Sequence, residues 1–249
     1  MTENRLLAAL PTEDRGRLLP KFEVVPFQKG RALHETGELI RYVYFPATGF
    51  CSLVALTPDG AMLELAAIGN EGVIGLSVVL KSPTAPCLVL GQVSGTAYRI
   101  RAEALAAEFQ RGSALQAILL QYTSRLLNEI SQGIVCHHFH SVLQRVCRWL
   151  LGAAERLQSD TLDLTQEAIA HALGITRTGV TEAAVRLQDA HAISCRHGHI
   201  VILRRAYLAD TACECHGLMR EATSPAPEVH KVMAAMTLPP RTTRSRSVA

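Results

Sequence analysis

The sequence predicts an α+β protein: an antiparallel β-roll or barrel, then a long helix, then a compact helical unit closed by a short hairpin. Three observations carry this. Nine of the seventeen glycines fall between Gly30 and Gly95, among short β-branched and aromatic runs. From about Glu103 the apolar spacing turns helical. Residues 162–203 then hold two capped helices and a pair of short strands. The length of 249 residues suits one large domain or two smaller ones, and 48% hydrophobic residues can fill a core.

Composition narrows the class. Charged residues make up 19% of the chain, so it is no disordered polyelectrolyte. No apolar run approaches the ~18–20 residues of a membrane span. The amino end, MTENRLLAALPTEDRGRLL, places acids among its leucines and lacks the apolar core of a secretory signal, so a soluble cytoplasmic protein is expected. Seven cysteines at uneven positions suit reduced thiols better than a disulfide framework. A net charge of only +3 leaves any nucleic-acid case to a local element.

In the roll, Tyr42-Val43-Tyr44-Phe45 reads as a strand. Phe50 to Leu56 and Ala61 to Ile68 flank Thr57-Pro58-Asp59-Gly60. Proline presets φ and Asp-Gly tolerates positive φ, so this predicts a hairpin. In its second arm Met62, Glu64 and Ala66 alternate with Leu63, Leu65 and Ala67, the period of a half-buried strand. Turn signals every ~8–12 residues favour an antiparallel barrel or roll.

Residues 113–136 contain no proline and carry Leu119, Leu126 and Gly133 at spacing seven, interleaved with Thr123 and Ile130 and followed by His137. Such a seam fits a coiled coil or a helix packed on its own domain. A second helix, about Ser141 to Leu157, presents Val142, Val146, Trp149 and Leu150, and Gln158-Ser159-Asp160 reads as a polar linker. Residues 221–249 combine four prolines with Arg241, Arg244 and Arg246 and have too few aliphatic residues for a core, so a flexible tail is expected.

The stretch LDLTQEAIAHALGITRTGVTEAAVRLQDAHAISCRHGHIVIL, residues 162–203, is the informative one. Thr165 is a good N-cap, with Leu164 placed to staple on Ile169. The helix stops at Leu173-Gly174-Ile175, where glycine permits a sharp turn. Thr176 repeats the cap, and Val180, Ala183, Ala184 and Leu187 make the apolar stripe of a second helix. Thr178, Thr181, Glu182 and Val185 then face outward, with Arg177 in the first turn. These features match the helix-turn-helix unit, whose second helix enters the major groove with its first residues leading. Ile193–Arg196 and His199–Leu203 add the two strands of a wing closed at His197-Gly198. An αα-hairpin of any helical domain shares some of these features; caps, staples, glycine turn and wing together favour DNA binding. Charge does not help, since residues 141–220 hold nine arginines against eight acids.

From about residue 20 to 220 the chain resembles the Crp/Fnr family of bacterial transcription regulators. The likeness rests on Gly30, Gly37-Glu38, Tyr42, Tyr44-Phe45, Gly49, the cassette Gly69-Asn70-Glu71-Gly72-Val73-Ile74-Gly75, and LTQEAIAHALGITRTGVTEAAVRLQDAHAI with its wing. The resemblance implies a cyclic-nucleotide-binding-like β-roll of jelly-roll type at 1–112, a dimerisation helix at 113–140, a winged helix-turn-helix domain at 141–220 and a tail at 221–249. It also implies a homodimer on a palindromic double-stranded DNA operator, often touching RNA polymerase. The DNA-facing candidates are Thr165, Gln166, Thr176, Arg177, Thr178, Thr181, Glu182, Arg186, Arg196 and His197. The dimer-helix candidates are Leu119, Tyr122, Leu126 and Ile130.

Two departures matter. Cyclic-AMP-binding members carry Glu after the cassette and an Arg-Ser pair further along. Here Leu76 and Pro86-Cys87 stand in those places, and no arginine occurs between Arg41 and Arg99. A buried cyclic phosphate without a cation costs several kcal/mol, so no cyclic AMP response is expected. The candidate effector pocket is Glu71, Gly72, Val73, Gly75 and Leu76, whose backbone N–H groups offer a partial anion site for an unknown effector. In the recognition helix Thr178 and Glu182 replace the family's Glu and second Arg, so the operator should differ.

Other chemistry is weaker. There is no nucleophile elbow, HExxH or P-loop, so no enzyme is expected. No cysteines have iron–sulfur cluster spacing. Cys136 and His140 share a helix face, and so do His137 and His140, but a polar hinge explains them better than a metal. In Cys213-Glu214-Cys215-His216 residues two apart on a helix diverge by about 200°, a poor chelate. No metal or cofactor is expected. The rival functions are a ligand-sensing roll acting through protein partners and a redox or metal sensor using Cys and His.

Overall fold

A computed structural model describes residues 4–196 and 198–218. His197 and the 221–249 tail lie outside the described residues. The chain opens with helices α1 (Arg5–Ala8) and α2 (Thr12–Leu18). Asn4 caps α1, and its amide donates to the Pro46 and Gly72 carbonyls at 3.0 and 2.8 Å, stitching the amino end to the roll. Seven strands follow: β1 (Glu23–Phe27), β2 (Ala32–His34), β3 (Tyr42–Pro46), β4 (Phe50–Leu56), β5 (Met62–Ile68), β6 (Leu88–Val93) and β7 (Gly95–Arg101). They form two antiparallel sheets, ordered β1-β7-β3 and β2-β6-β4-β5. Phe27 and Ala97 from one sheet meet Cys51, Ile68 and Val89 from the other, so the roll closes on its own core.

The β4–β5 hairpin turns where the sequence placed it, with Leu56 opposite Met62 and the Thr57 N–H bonded to the Ala61 carbonyl at 3.0 Å. The second arm is not a half-buried strand. Met62 to Leu65 are partly covered and Ala66, Ala67 and Ile68 are all buried, because helices lie against the sheet's other face. A period-two pattern cannot reveal a second covering layer.

Helix α3 (Ala102–Gln110) leads into α4 (Ala114–Phe139). One face of α4, with Leu115, Leu119 and Tyr122 buried and Leu126 packed beside them, lies on a core that includes Val43, Phe45, Val73 and Ile100. Further along, Gly133 approaches the Leu65 backbone of β5. The expected dimer seam is thus largely an intrachain seam: Leu119 and Tyr122 are 0% and 5% exposed and offer a partner nothing. The stripe one residue on is open. Leu120, Leu127 and Ile134 are 48%, 60% and 68% exposed, and Phe139 stands clear at the end.

A full capping box starts α5 (Val142–Leu157): the Ser141 N–H donates to Gln144 Oε1 at 3.0 Å and the Ser141 hydroxyl accepts from the Gln144 N–H. The rest is β8 (Thr161–Leu162), α6 (Gln166–Leu173), α7 (Arg177–Asp189), β9 (Ile193–Arg196), β10 (His199–Ile202) and α8 (Arg205–Thr211). The stretch expected as a linker feeds β8, which pairs with β10 to make a three-stranded wing ordered β8-β10-β9. Val146, Leu150, Ile169, Leu173, Val180, Leu187, Ile200 and Leu208 share one core, and Phe50 and Ala67 of the roll join it.

Candidate nucleic-acid interface

Local chemistry builds the helix pair. The Thr165 hydroxyl accepts from the Ala168 N–H at 3.1 Å and the Thr176 hydroxyl from the Gly179 N–H at 3.2 Å, so both caps are formed. Between them Gly174 takes φ +57, and a Cβ there would meet Leu63 of β5 at 2.9 Å. The turn therefore needs glycine for its conformation and for its contact with the roll. Leu164, Ile169, Val180, Ala183, Ala184 and Leu187 are buried, which holds the two helices at a fixed angle.

What remains outside is polar. Thr165, Thr176, Arg177, Thr178, Thr181, Glu182, Arg186 and Arg196 are exposed, while Gln166 is half-buried. The first turn of α6, Arg177 and the wing surround one cleft, lined among others by Thr165, Gln166, Arg196 and His199. No acid occupies the first turn of α7, so its positive dipole end faces out uncompensated. Four of the candidates, Thr165, Gln166, Thr176 and Thr181, are partly engaged inside the chain. Thr165 and Thr176 spend their hydroxyls on the caps. Thr181 Oγ1 lies 2.8 Å from Gln166 Oε1 and 3.0 Å from the Arg177 carbonyl, which ties α6 to α7.

The arginines sort themselves by location. Arg156 is held by Glu71 and Glu129, Arg205 by Asp160, and Arg145 donates to the Leu173 carbonyl. Arg177, Arg186 and Arg196 have no ion-pair partner among the described residues. The near-zero sum over this region thus hides an exposed cluster of arginines on one surface.

Comparison with known proteins follows the same division. Residues 144–211 match the model of the Crp-like helix-turn-helix domain. The carboxyl half of the chain thus carries a Crp-like helix-turn-helix domain. Solved structures extend the likeness to the roll. FixK2 from Bradyrhizobium japonicum superposes with a TM-score of 0.68 at 19% identity, covering 77% of this chain and 98% of that one. The c-di-GMP-responsive global regulator CLP of Xanthomonas campestris gives 0.64 at 17% identity, covering 77% and 99%. A CRP-family transcriptional regulator from Thermus thermophilus gives 0.65 at 18%, covering 76% and 96%. No curated protein matches the sequence significantly. No helix among the described residues is long and apolar enough to cross a membrane.

The candidate effector residues of the roll are less available than the cleft. Val73 and Leu76 turn into the roll core. A Cβ on Gly72 would meet the Tyr122 hydroxyl at 2.4 Å, so α4 closes over the cassette there. Glu71 Oε1 accepts from the Gly69 N–H at 3.1 Å and from Arg156 Nε at 2.9 Å. Arg156 also donates to Glu129 at 2.9 Å, which joins roll, α4 and α5 at one buried junction. Burial beside Glu71 and Glu64 pushes the Glu129 carboxyl above its ordinary range despite Arg156. A cavity of about 110 Å³ sits at this junction, lined by Glu71, Glu129, Trp149 and Arg156 among others. Sequence reasoning missed it because its members come from three elements.

It also missed a second cluster. Cys136 and His140, at the end of α4, meet Cys213 and Cys215 with all four donor atoms within 4.8 Å of one another. Cys213 and Cys215 are not two positions of one helix: α8 ends at Thr211, Ala212 is extended, and the next helical turn begins only at Cys215.

Proposed function

We propose that this chain is a sequence-specific DNA-binding transcription regulator that acts as a homodimer and does not respond to cyclic AMP. Residues 1–112 form the sensing roll, 113–140 the pairing helix and 141–220 the DNA-binding unit. The observation that carries the reading is the first turn of α7. Arg177 stands exposed beside the wing, with no ion-pair partner among the described residues, on a helix pair that matches the Crp-like domain. An arginine there can donate two hydrogen bonds to a guanine edge, worth ~1–3 kcal/mol of discrimination. Arg196 at the wing contacts phosphate, and Thr178 the neighbouring base.

One winged helix offers little interface, so specific affinity needs two copies on half-sites about 34 Å apart. The exposed stripe Leu120, Leu127 and Ile134 repeats every seven residues and supplies the pairing face in place of Leu119 and Leu126. The CLP regulator is described as c-di-GMP responsive, so this roll architecture is not tied to cyclic AMP. Here Glu71 is already paired, Leu76 is buried, and Cys87 stands buried where the phosphate partner would be. The reading includes the expected contact with RNA polymerase.

Footprinting on the organism's own DNA should protect ~25 bp with two-fold symmetry. Arg177→Ala should abolish site preference, whereas Arg196→Ala should weaken binding to all sequences and flatten the salt slope. Unchanged selectivity in Arg177→Ala overturns the assignment. Leu127→Glu should give a monomer by light scattering that no longer binds the full palindrome. Micromolar cyclic AMP affinity coupled to tighter operator binding would refute the negative half.

A further inference from the structure

The joint between α4 and α5 lies at His140 and Ser141, just outside the long helix. Helix α8 packs on α5 through Leu208 in the shared core, and the chain leaving α8 runs back to that joint. It delivers Cys213 to Cys136 across 77 positions and Cys215 to His140 across 75. The three sulfurs are buried and form a cluster of their own, with no aliphatic residue among its members.

Distances within the cluster suit a tetrahedron. Cys136 Sγ lies 3.5 Å from Cys213 Sγ, and Cys215 Sγ lies 3.5 Å from His140 Nδ1. Zinc–sulfur bonds of about 2.3 Å and zinc–nitrogen bonds of about 2.0–2.1 Å at tetrahedral angles place donors roughly 3.6–3.8 Å apart. Outer partners are also in place. His140 turns Nδ1 to the sulfurs, and its Nε2 lies 3.1 Å from Glu214 Oε1, the carboxylate–histidine pairing that orients a ligating imidazole. The Gln132 amide donates to Cys215 Sγ at 3.0 Å. A simple disulfide between Cys136 and Cys213 would account for two of these groups and leave Cys215, His140 and both outer partners without a purpose.

We propose that Cys136, His140, Cys213 and Cys215 form a closed Cys3His site for a tetrahedral, borderline-soft dication of the zinc class. Four protein donors leave no open position, so the site is structural. It fastens the segment after α8 to the end of α4, and through it the Crp-like domain to the long helix. Binding releases three thiol protons to solvent and leaves His140 neutral, with no change of oxidation state. The inference stands independently of DNA binding, since metal content and operator affinity are separate measurements.

The test uses the full chain, purified under reducing conditions without chelator and assayed by elemental mass spectrometry. One zinc per chain is expected, and replacement by Co2+ should give an intense near-ultraviolet thiolate-to-cobalt band with tetrahedral d–d bands. Cys215→Ser and Cys213→Ser should lose that band, while Cys195→Ser, in the wing, should keep it. Glu214→Gln should fold normally and weaken zinc about 10–100-fold in a chelator competition. Added zinc should raise the thermal midpoint of the stripped wild type in a concentration-dependent way and leave Cys213→Ser unmoved. Failure of the reduced, stripped protein to take up zinc or cobalt overturns the proposal. So does binding that survives both cysteine variants, or a Cys136–Cys213 disulfide as the species isolated with metal present.

Discussion

The glycine cassette of the roll and the start of α7 both read as binding elements in the sequence, yet the structure treats them as opposites. In the cassette Glu71 is 9% exposed and bonded to Arg156 and the Gly69 N–H, while Val73 and Leu76 serve the core. At the start of α7, Arg177 and Thr178 are exposed, and Arg177 lines a cleft with no ion-pair partner among the described residues. Short polar motifs have equal recognition chemistry in principle. What separates them is whether neighbouring elements have already used their donors and acceptors. A residue committed to the fold cannot also read a ligand without losing that commitment.

Substitutions should divide along the same line. The largest stability loss is expected for Arg156→Ala, which leaves the buried Glu71 and the mostly covered Glu129 without its guanidinium. Breaking such a pair costs about 3–5 kcal/mol, read as a shift in the urea midpoint. A loss below about 1 kcal/mol would mean that the junction is wetter than its geometry implies. Next comes Gly72→Ala, whose new methyl group must displace the Tyr122 hydroxyl and Ile68. Overpacking of this kind costs ~1–3 kcal/mol and should loosen α4 on the roll, seen as faster amide exchange in both. Thr176→Ala removes one cap from an exposed helix start and should cost about 1 kcal/mol. The smallest effect belongs to Arg177→Ala. Stability should stay within ~0.5 kcal/mol of the parent while selectivity for DNA sequence collapses. Equal destabilisation by Arg156→Ala and Arg177→Ala would erase the contrast between the two regions.

Much of this chain is legible in its residues alone. Thr165, Gly174 and Thr176 announce two helices and the turn between them. Caps and positive-φ turns act over three or four residues, so their signal is written locally. The stripe Val180, Ala183, Ala184 and Leu187 likewise names its own buried face. Thr57-Pro58-Asp59-Gly60 marks its hairpin for the same reason. On α4 that logic reaches its limit. Leu119 and Leu126 make one seven-residue repeat and Leu120, Leu127 and Ile134 make another, and period alone cannot say which meets the roll. The sheet beneath decides, covering the first and leaving the second open.

The rest depended wholly on tertiary structure. Arg156 reaches Glu71 across 85 positions, and Cys213 reaches Cys136 across 77. Local propensity determined the helices and strands because steric and capping rules operate within a turn. Only the path of the folded chain could decide which side chains from distant elements share a site. Their juxtaposition is a property of the packed core, not of any segment within it.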